Sequence, residues 1–246
     1  MTLILHRGAQ EASREEIGEI PIPITTRSYS PVAHGELADS LAKRAEYLLP
    51  EFSLHKSQFG LARDGQQLFG VHSFRNGSTD LALSIGFRNS YDKTLSVGIA
   101  VGASVMVCDN LALSGDITLM RKHTTNVETD LNSLIVTAIL KARTAFHQVK
   151  ADAQSMQQLP LADDEAYRLI GLMYGRGVIS PRQIPVVKNE WMEPSHDEFR
   201  ERTMWSFYNA VTEALKTTPP RIIMERHLLA SKVIANVHSE IERAEA

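Results

Sequence analysis

The residues with the most evident chemical potential sit in the middle of the chain. Cys108 is followed directly by Asp109 and Asn110. A thiolate is a strong nucleophile once a base takes its proton, and His72 and His123 are the histidines that would serve. A reactive thiol needs an electropositive, accessible setting, whereas a lone cysteine ending an apolar strand is more often simply buried. Asp109 and Asn110 also read as a plain Asx turn. Asp109, Asp116, Glu128 and Asp130 would have to converge to hold a divalent cation, yet they are spread over a turn, a loop and a helix start. No metal or other cofactor is expected.

Basic residues give a second kind of chemistry. Arg121-Lys122-His123-Thr124 is the most compact basic run. Between 55 and 125, Lys and Arg number seven and Asp and Glu five, while the whole chain carries -3. Arg75, Arg88, Lys93, Arg121 and Lys122 are therefore the expected phosphate contacts of a nucleic-acid surface. Tyr91 is the expected stacking residue. The plainer alternatives are a solvated strand end for the basic run and a packing role for a turn tyrosine. Arg168, Arg176 and Arg182 near a helix end suggest a helix-turn-helix, but Pro181 and Pro185 spoil a recognition helix there.

The absent motifs exclude whole classes. No Gly-rich loop ends in Gly-Lys-Ser/Thr, and Gly98 and Gly102 lie within a strand pattern rather than between strand and helix. Neither H-E-x-x-H nor G-x-S-x-G occurs. The chain has 246 residues, 43% hydrophobic and 22% charged, as expected of a globular protein able to bury a core. One cysteine permits no internal disulfide. The apolar run Leu3–Leu5 is too short for a signal peptide. A cytoplasmic location is expected.

The elements that must position these residues follow from periodicity. Residues 1–30, with IPIPITTRSYSP, read as an N-terminal arm. A helix follows Pro31, with Leu37, Leu41, Ala45 and Leu48 on one stripe. From Phe52 to His123 the period is two, with turns at Asp64-Gly65, Asn76-Gly77, RNSYDK, Asp109-Asn110 and Gly115-Asp116. From about Thr129 the period becomes helical, to about Gln158. Shorter helices are expected from Asp163 or Asp164 to Gly175, from Ser195 to about Lys216, and over 221–243, with GVISPRQIPVVKNEWMEP as an extended connector. The fold class is α+β: an antiparallel β-meander, a long packing helix and a helical C-terminal part. The division is 1–30 arm, 31–158 core and 159–246 helical region.

LSVGIAVGASVMVC sharpens the picture. Leu95, Val97, Ile99, Val101, Ala103, Val105 and Val107 form one face, and Ser96, Gly98, Ala100, Gly102, Ser104, Met106 and Cys108 the other. Leu81, Leu83, Ile85 and Phe87 against Ala82, Ser84 and Gly86 repeat the split. Two neighbouring strands thus share a face almost bare of side chains. Its expected cover is the long helix, through Ala138, Ala142 and Ala145. A subunit contact and a shelf for a polymer are the alternatives.

Three blocks in this order, TTRSYSPVAHGEL, RNSYDKTLSVGIAVGASVMVCDNLALSGD and MWSFYNAVTEAL, resemble the domain of unknown function 932 family of phage- or plasmid-like proteins. The resemblance spans roughly 25–235. The family more often has Asn-Gly where this chain has Asn110-Leu111, while Trp205–Thr212 is similar to its Trp…Tyr-Asn-Ala-Val-Thr pattern. The resemblance implies a mobile-genetic-element setting and no particular reaction. In layout alone, a meander followed by one long helix is similar to ring-forming single-strand annealing recombinases. The expected function is single-stranded DNA binding or annealing in recombination or replication, by a homo-oligomer. The alternative is a non-enzymatic module that binds a host protein in anti-defence or takeover. An enzyme built around Cys108 is a third reading.

Overall fold

The computed structural model describes residues 9–77, 81–105 and 110–245. Six antiparallel strands form one sheet in sequence order: β1 (Ala9–Ala12), β2 (Ser53–Ala62), β3 (Gln67–Arg75), β4 (Leu81–Ser90), β5 (Val97–Val105) and β6 (Asn110–Arg121). Helices α1 (Arg14–Glu19) and α2 (His34–Leu48) precede β2. After the sheet come α3 (Val127–Gln158), α4 (Asp163–Gly175), α5 (Ile184–Met192), α6 (Met204–Leu215) and α7 (Pro220–Glu245). The expected α+β order of meander, long helix and C-terminal helices is the observed one. None of the described helices is long and apolar enough to cross a membrane.

Alternation along β4 and β5 gives the sheet two unlike faces. Leu83 pairs with Ala103, Ile85 with Val101 and Phe87 with Ile99. These side chains join α2 and α3 in the main apolar cluster, where Ala138, Ala142 and Ala145 are also buried. Gly70 lies opposite Phe87 on this bulky face. A Cβ at Gly70 would come within 2.3 Å of the Phe87 ring, so the glycine is the space the ring occupies.

The bare face is covered by a different helix from the one expected. Ile223 and Met224 of α7 pack on Phe69, Val71 and Ala100. Arg88 crosses this face to Glu225 of α7, Nη1 to Oε1 2.6 Å. Gly98 makes the crossing feasible, since a Cβ there would lie 3.2 Å from the Arg88 side chain. On the same face, Ser84 donates to Ser104 at 2.8 Å, and Ser73 lies 3.4 Å from each. Its buried hydroxyls thus satisfy one another.

Four further expectations change. The arm holds β1, paired with β2, and the short helix α1, whose Ser13–Glu16 capping box closes its first turn. Gly115-Asp116 does not split the last strand. β6 is continuous, and the register moves from Ala100↔Thr118 to Gly102↔Leu113, so the extra residues bulge out opposite Val101. The supposed connector contains α5, because Pro185 sits in the first helical turn, where no N–H is needed. The capping pattern at Ser195 opens only a 3-10 turn, Asp197–Phe199, and α6 begins later behind its cap Thr203. The helical C-terminal part also shares one apolar cluster with the sheet and α3.

Gly70→Ala tests the bulky face. Phe87 is fully buried and has nowhere to retreat. The variant should lose about 1–3 kcal/mol in urea unfolding, the range for an overpacked core. An unchanged midpoint would mean the ring is not held there.

Candidate functional site

The turn from Tyr91 to Ser96 is pinned by its own side chains. Asp92 accepts from the Thr94 N–H at 3.0 Å, the Thr94 hydroxyl at 2.5 Å and Gln67 Nε2 at 3.0 Å. Burial alone would raise the Asp92 pKa, but these hydrogen bonds outweigh it and hold the carboxyl below its ordinary value. Ser90 Oγ closes the other side by bridging to Leu95, 3.0 Å to both its carbonyl and its N–H. The pinned turn holds Lys93 at φ +63, a conformation that costs an L-residue roughly 1–2 kcal/mol. Its ammonium sits 4.4 Å from the centre of the Tyr29 ring, a cation–π contact that offsets part of that cost.

Beneath the turn lies a buried polar knot. The His34 and Tyr91 rings stack with centroids 3.8 Å apart and planes 8° from parallel. The His34 N–H donates to the Tyr91 hydroxyl at 2.9 Å, and the Tyr29 hydroxyl donates to the Tyr91 carbonyl at 3.2 Å. Asn89 Nδ2 donates to the Val32 carbonyl at 2.6 Å and to His34 Nδ1 at 2.9 Å. That leaves the proton on His34 Nε2, which donates to the Gly65 carbonyl at 3.0 Å. His34 is therefore neutral, with its pKa lowered to about 4 chiefly by burial. His72 follows the same logic. Ser57 meets its Nδ1 at 2.8 Å and Nε2 donates to the Ala38 carbonyl at 3.0 Å, again with a pKa of about 4 from burial. A backbone carbonyl stands where a serine-histidine catalytic pair would have a carboxylate, so this histidine is structural.

The nucleic-acid residues expected from the sequence do not form one surface. Arg88 is buried and paired with Glu225. Tyr91 is buried with one ring face against His34, so it is not presented to a base. Arg75 ends β3 beside the start of β2, whereas Lys93, Arg121 and Lys122 lie at the opposite end of the sheet. Arg121 pairs with Asp130, and Lys122 and Lys93 are exposed. Cys108 and Asp109 lie outside the described residues, as do the side chains of Asp116 and Glu128. Among the described residues no three His, Cys, Asp or Glu side chains are grouped to hold a metal ion.

What the sequence reading missed is the outer surface of α2 and α3. The two helices are tied by Arg44 to Asn132 at 2.8 Å, and the turn after α2 is tied to α3 by Arg143 to Glu51 at 2.5 Å. Lys141, Arg143, Thr144 and His147 are exposed along α3. Tyr47 is 83% exposed on α2 and Leu140 58% exposed on α3. The signal was available: from Leu131 to Ala151 the sequence has Lys141, Arg143 and Lys150 and no Asp or Glu.

The model of the family described as domain of unknown function (DUF932) matches residues 24–239, and the chain belongs to that family. No curated protein and no solved structure matches it.

The buried histidines generate a pH prediction. Between pH 6.5 and about 4 the unfolded chain binds protons at His34 and His72 that the folded chain refuses. Stability should therefore be full above pH 6.5 and fall as the pH drops through that window. The loss is at most about 3 kcal/mol per histidine at about 1.4 kcal/mol per pH unit. Urea midpoints at pH 7 and pH 5 measure it, and His72→Gln should flatten the slope. Equal slopes in both proteins would refute the assignment.

Proposed function

We propose that this DUF932 member is a nucleic-acid-associated protein that holds a single strand along the outer face of α3, in the handling of DNA by a mobile genetic element. The observation that carries the reading is the acid-free stretch Leu131–Ala151 with its exposed Lys141 and Arg143, in a chain whose net charge is -3. At 1.5 Å per residue this stretch runs about 30 Å, enough for several phosphates. Lys122 lies five residues before the start of α3, and Lys93 is exposed at the same end of the sheet. Arg143 is shared with Glu51, so Lys141 is the cation with more freedom to follow a phosphate.

Tyr47 takes the stacking role first expected of Tyr91. It stands 83% exposed beside α3, and an aromatic face next to a basic track is how sequence-tolerant single-strand binding is built. Assembly of several copies along one strand, and annealing, belong to the same reading. A host-protein-binding module is the second reading, favoured by Ile22 and Ile24, 55% and 88% exposed in the IPIPIT segment.

Fluorescence anisotropy with labelled single-stranded and duplex DNA, at low and moderate salt, separates the two. The expected result is single-strand binding that weakens with salt. Lys122→Glu with Lys141→Glu should weaken it at least about tenfold for all sequences alike, and lower the salt slope by about 0.7 for each phosphate left without its cation. Tyr47→Ala should cost about 1–3 kcal/mol of binding, while Tyr91→Phe should leave it unchanged. Absence of binding at low salt, where charge attraction is strongest, would remove this reading and turn the search to protein partners.

A further inference from the structure

A cleft of about 430 Å³ opens between α3, α6 and α7, within the size range of small-molecule sites. Its polar groups come from three separate helices. Asp152 of α3 accepts from Gln148 Nε2 at Oδ1, 2.7 Å. Ser155 of α3 meets His238 Nε2 of α7 at 3.0 Å. At the floor stands Tyr208 of α6, in a helix buried on nearly every side.

The Tyr208 hydroxyl is the informative atom. It is buried, lines the cleft and has no hydrogen-bond partner among the described residues. Ser231 lies near it without reaching hydrogen-bond geometry. An unpaired buried hydroxyl costs about 1–3 kcal/mol, and a phenylalanine would fill the same space without that cost. A tyrosine here is explained by an acceptor that arrives from outside.

The cleft's chemistry narrows what that acceptor belongs to. Tyr208 and Ser231 offer donors, and Asp152 offers a carboxylate that only accepts when ionised. Met156, Ile234 and Ala235 supply apolar walls. Among the described residues no Lys or Arg lines the cleft, so a phosphate would find no lysine or arginine to offset its repulsion by the carboxylate. A planar, uncharged ring with an amino group beside a ring nitrogen or carbonyl satisfies both sides at once.

The cleft also continues the track along α3. Gln148 and Ala151 form part of its lining and follow Lys141 and Thr144 on the same helix, at spacings of three and four residues that share one face. We propose that this cleft receives an amino-bearing nucleobase, cytosine, adenine or guanine, with the amino group on Asp152 and the ring acceptor on Tyr208. The proposal rests on the strand reading above for how the base arrives, and it is tested without a strand.

The test is calorimetric titration of the whole protein with free cytidine, adenosine, guanosine and 3-methylthymidine. The three amino nucleosides should bind, and 3-methylthymidine, which has ring acceptors but neither an amino group nor a ring N–H to give Asp152, should bind about tenfold more weakly or not at all. Tyr208→Phe and Asp152→Asn should each weaken the amino nucleosides about tenfold, the effect of one lost hydrogen bond. Thermal unfolding provides the control: Tyr208→Phe should be as stable as the parent or more so, whereas a tyrosine kept for structure would make it less stable. Lack of nucleoside binding, equal binding of 3-methylthymidine, or indifference to both substitutions would overturn the proposal. If nucleosides fail while single strands still bind with Lys122 and Lys141 dependence, only the cleft falls. If nucleosides bind and strands do not, the cleft stands as a site for free nucleosides and the strand reading falls.

Discussion

A large side chain can lie flat on a sheet only where the strands leave it room. β4 and β5 meet that condition on one side, with Ala82, Ser84, Gly86, Gly98, Ala100, Gly102 and Ser104 in paired register. α7 covers this side with its backbone nearest β6 and β3, and Arg88 lies flat over Gly98 to reach Glu225 at 2.6 Å. A buried guanidinium without a carboxylate would be strongly destabilising, whereas with one it fixes the position of the helix that carries it. The position of α7 in turn sets one wall of the cleft and brings His238 to Ser155. With the bulky face closed by α2 and α3, both sides of β3, β4 and β5 are committed to internal packing. Among the described residues, the surface left for a partner lies on the helices, at the turns and along the outer strands.

The polar knot around His34 does comparable work at the Lys93 end. Two segments distant in sequence, TTRSYSPVAHGEL and RNSYDK, meet there through a ring stack and a chain of hydrogen bonds. Burial makes every missed bond costly and every made bond position-specific. The knot therefore orients the turn rather than reacting with anything. Its histidine is held in the neutral form by a donor on one nitrogen and a carbonyl on the other.

The meander, α2 and α3 are legible in the sequence because their periods are sustained over many residues. The bare face is legible too, but its cover is not. Ala138, Ala142 and Ala145 look like a helix made for close approach, and nothing local distinguishes them from Ile223 and Met224 far along the chain. Charge alone suggests that Arg88 faces solvent. Its parity with Ser84 and Gly86 puts it on the bare face, so whatever covers that face buries Arg88 with it. Tyr91 looks available because it sits in a turn, yet its partner His34 lies in another block. Tyr208 falls within the Trp…Tyr-Asn-Ala-Val-Thr pattern, which does not say that its hydroxyl faces a cleft. Its meaning depends on three helices that converge only in the fold, and α6, apolar on almost every side, gives no pattern from which to pick out one hydroxyl.

The order of the elements has a consequence for synthesis. β5 leaves the ribosome well before α7, with the intervening chain forming β6 and four helices. Translation at about 5–20 residues per second leaves the bare face open for on the order of ten seconds. During that interval β4 and β5 present serine, glycine and alanine to the surroundings instead of leucine and valine. Phe69 and Val71 of β3 are uncovered with them, so what passing chains could adhere to is a small apolar patch at one side of a polar and glycine-rich surface. The composition that leaves room for Arg88 to reach α7 at the end also lets the unfinished sheet wait.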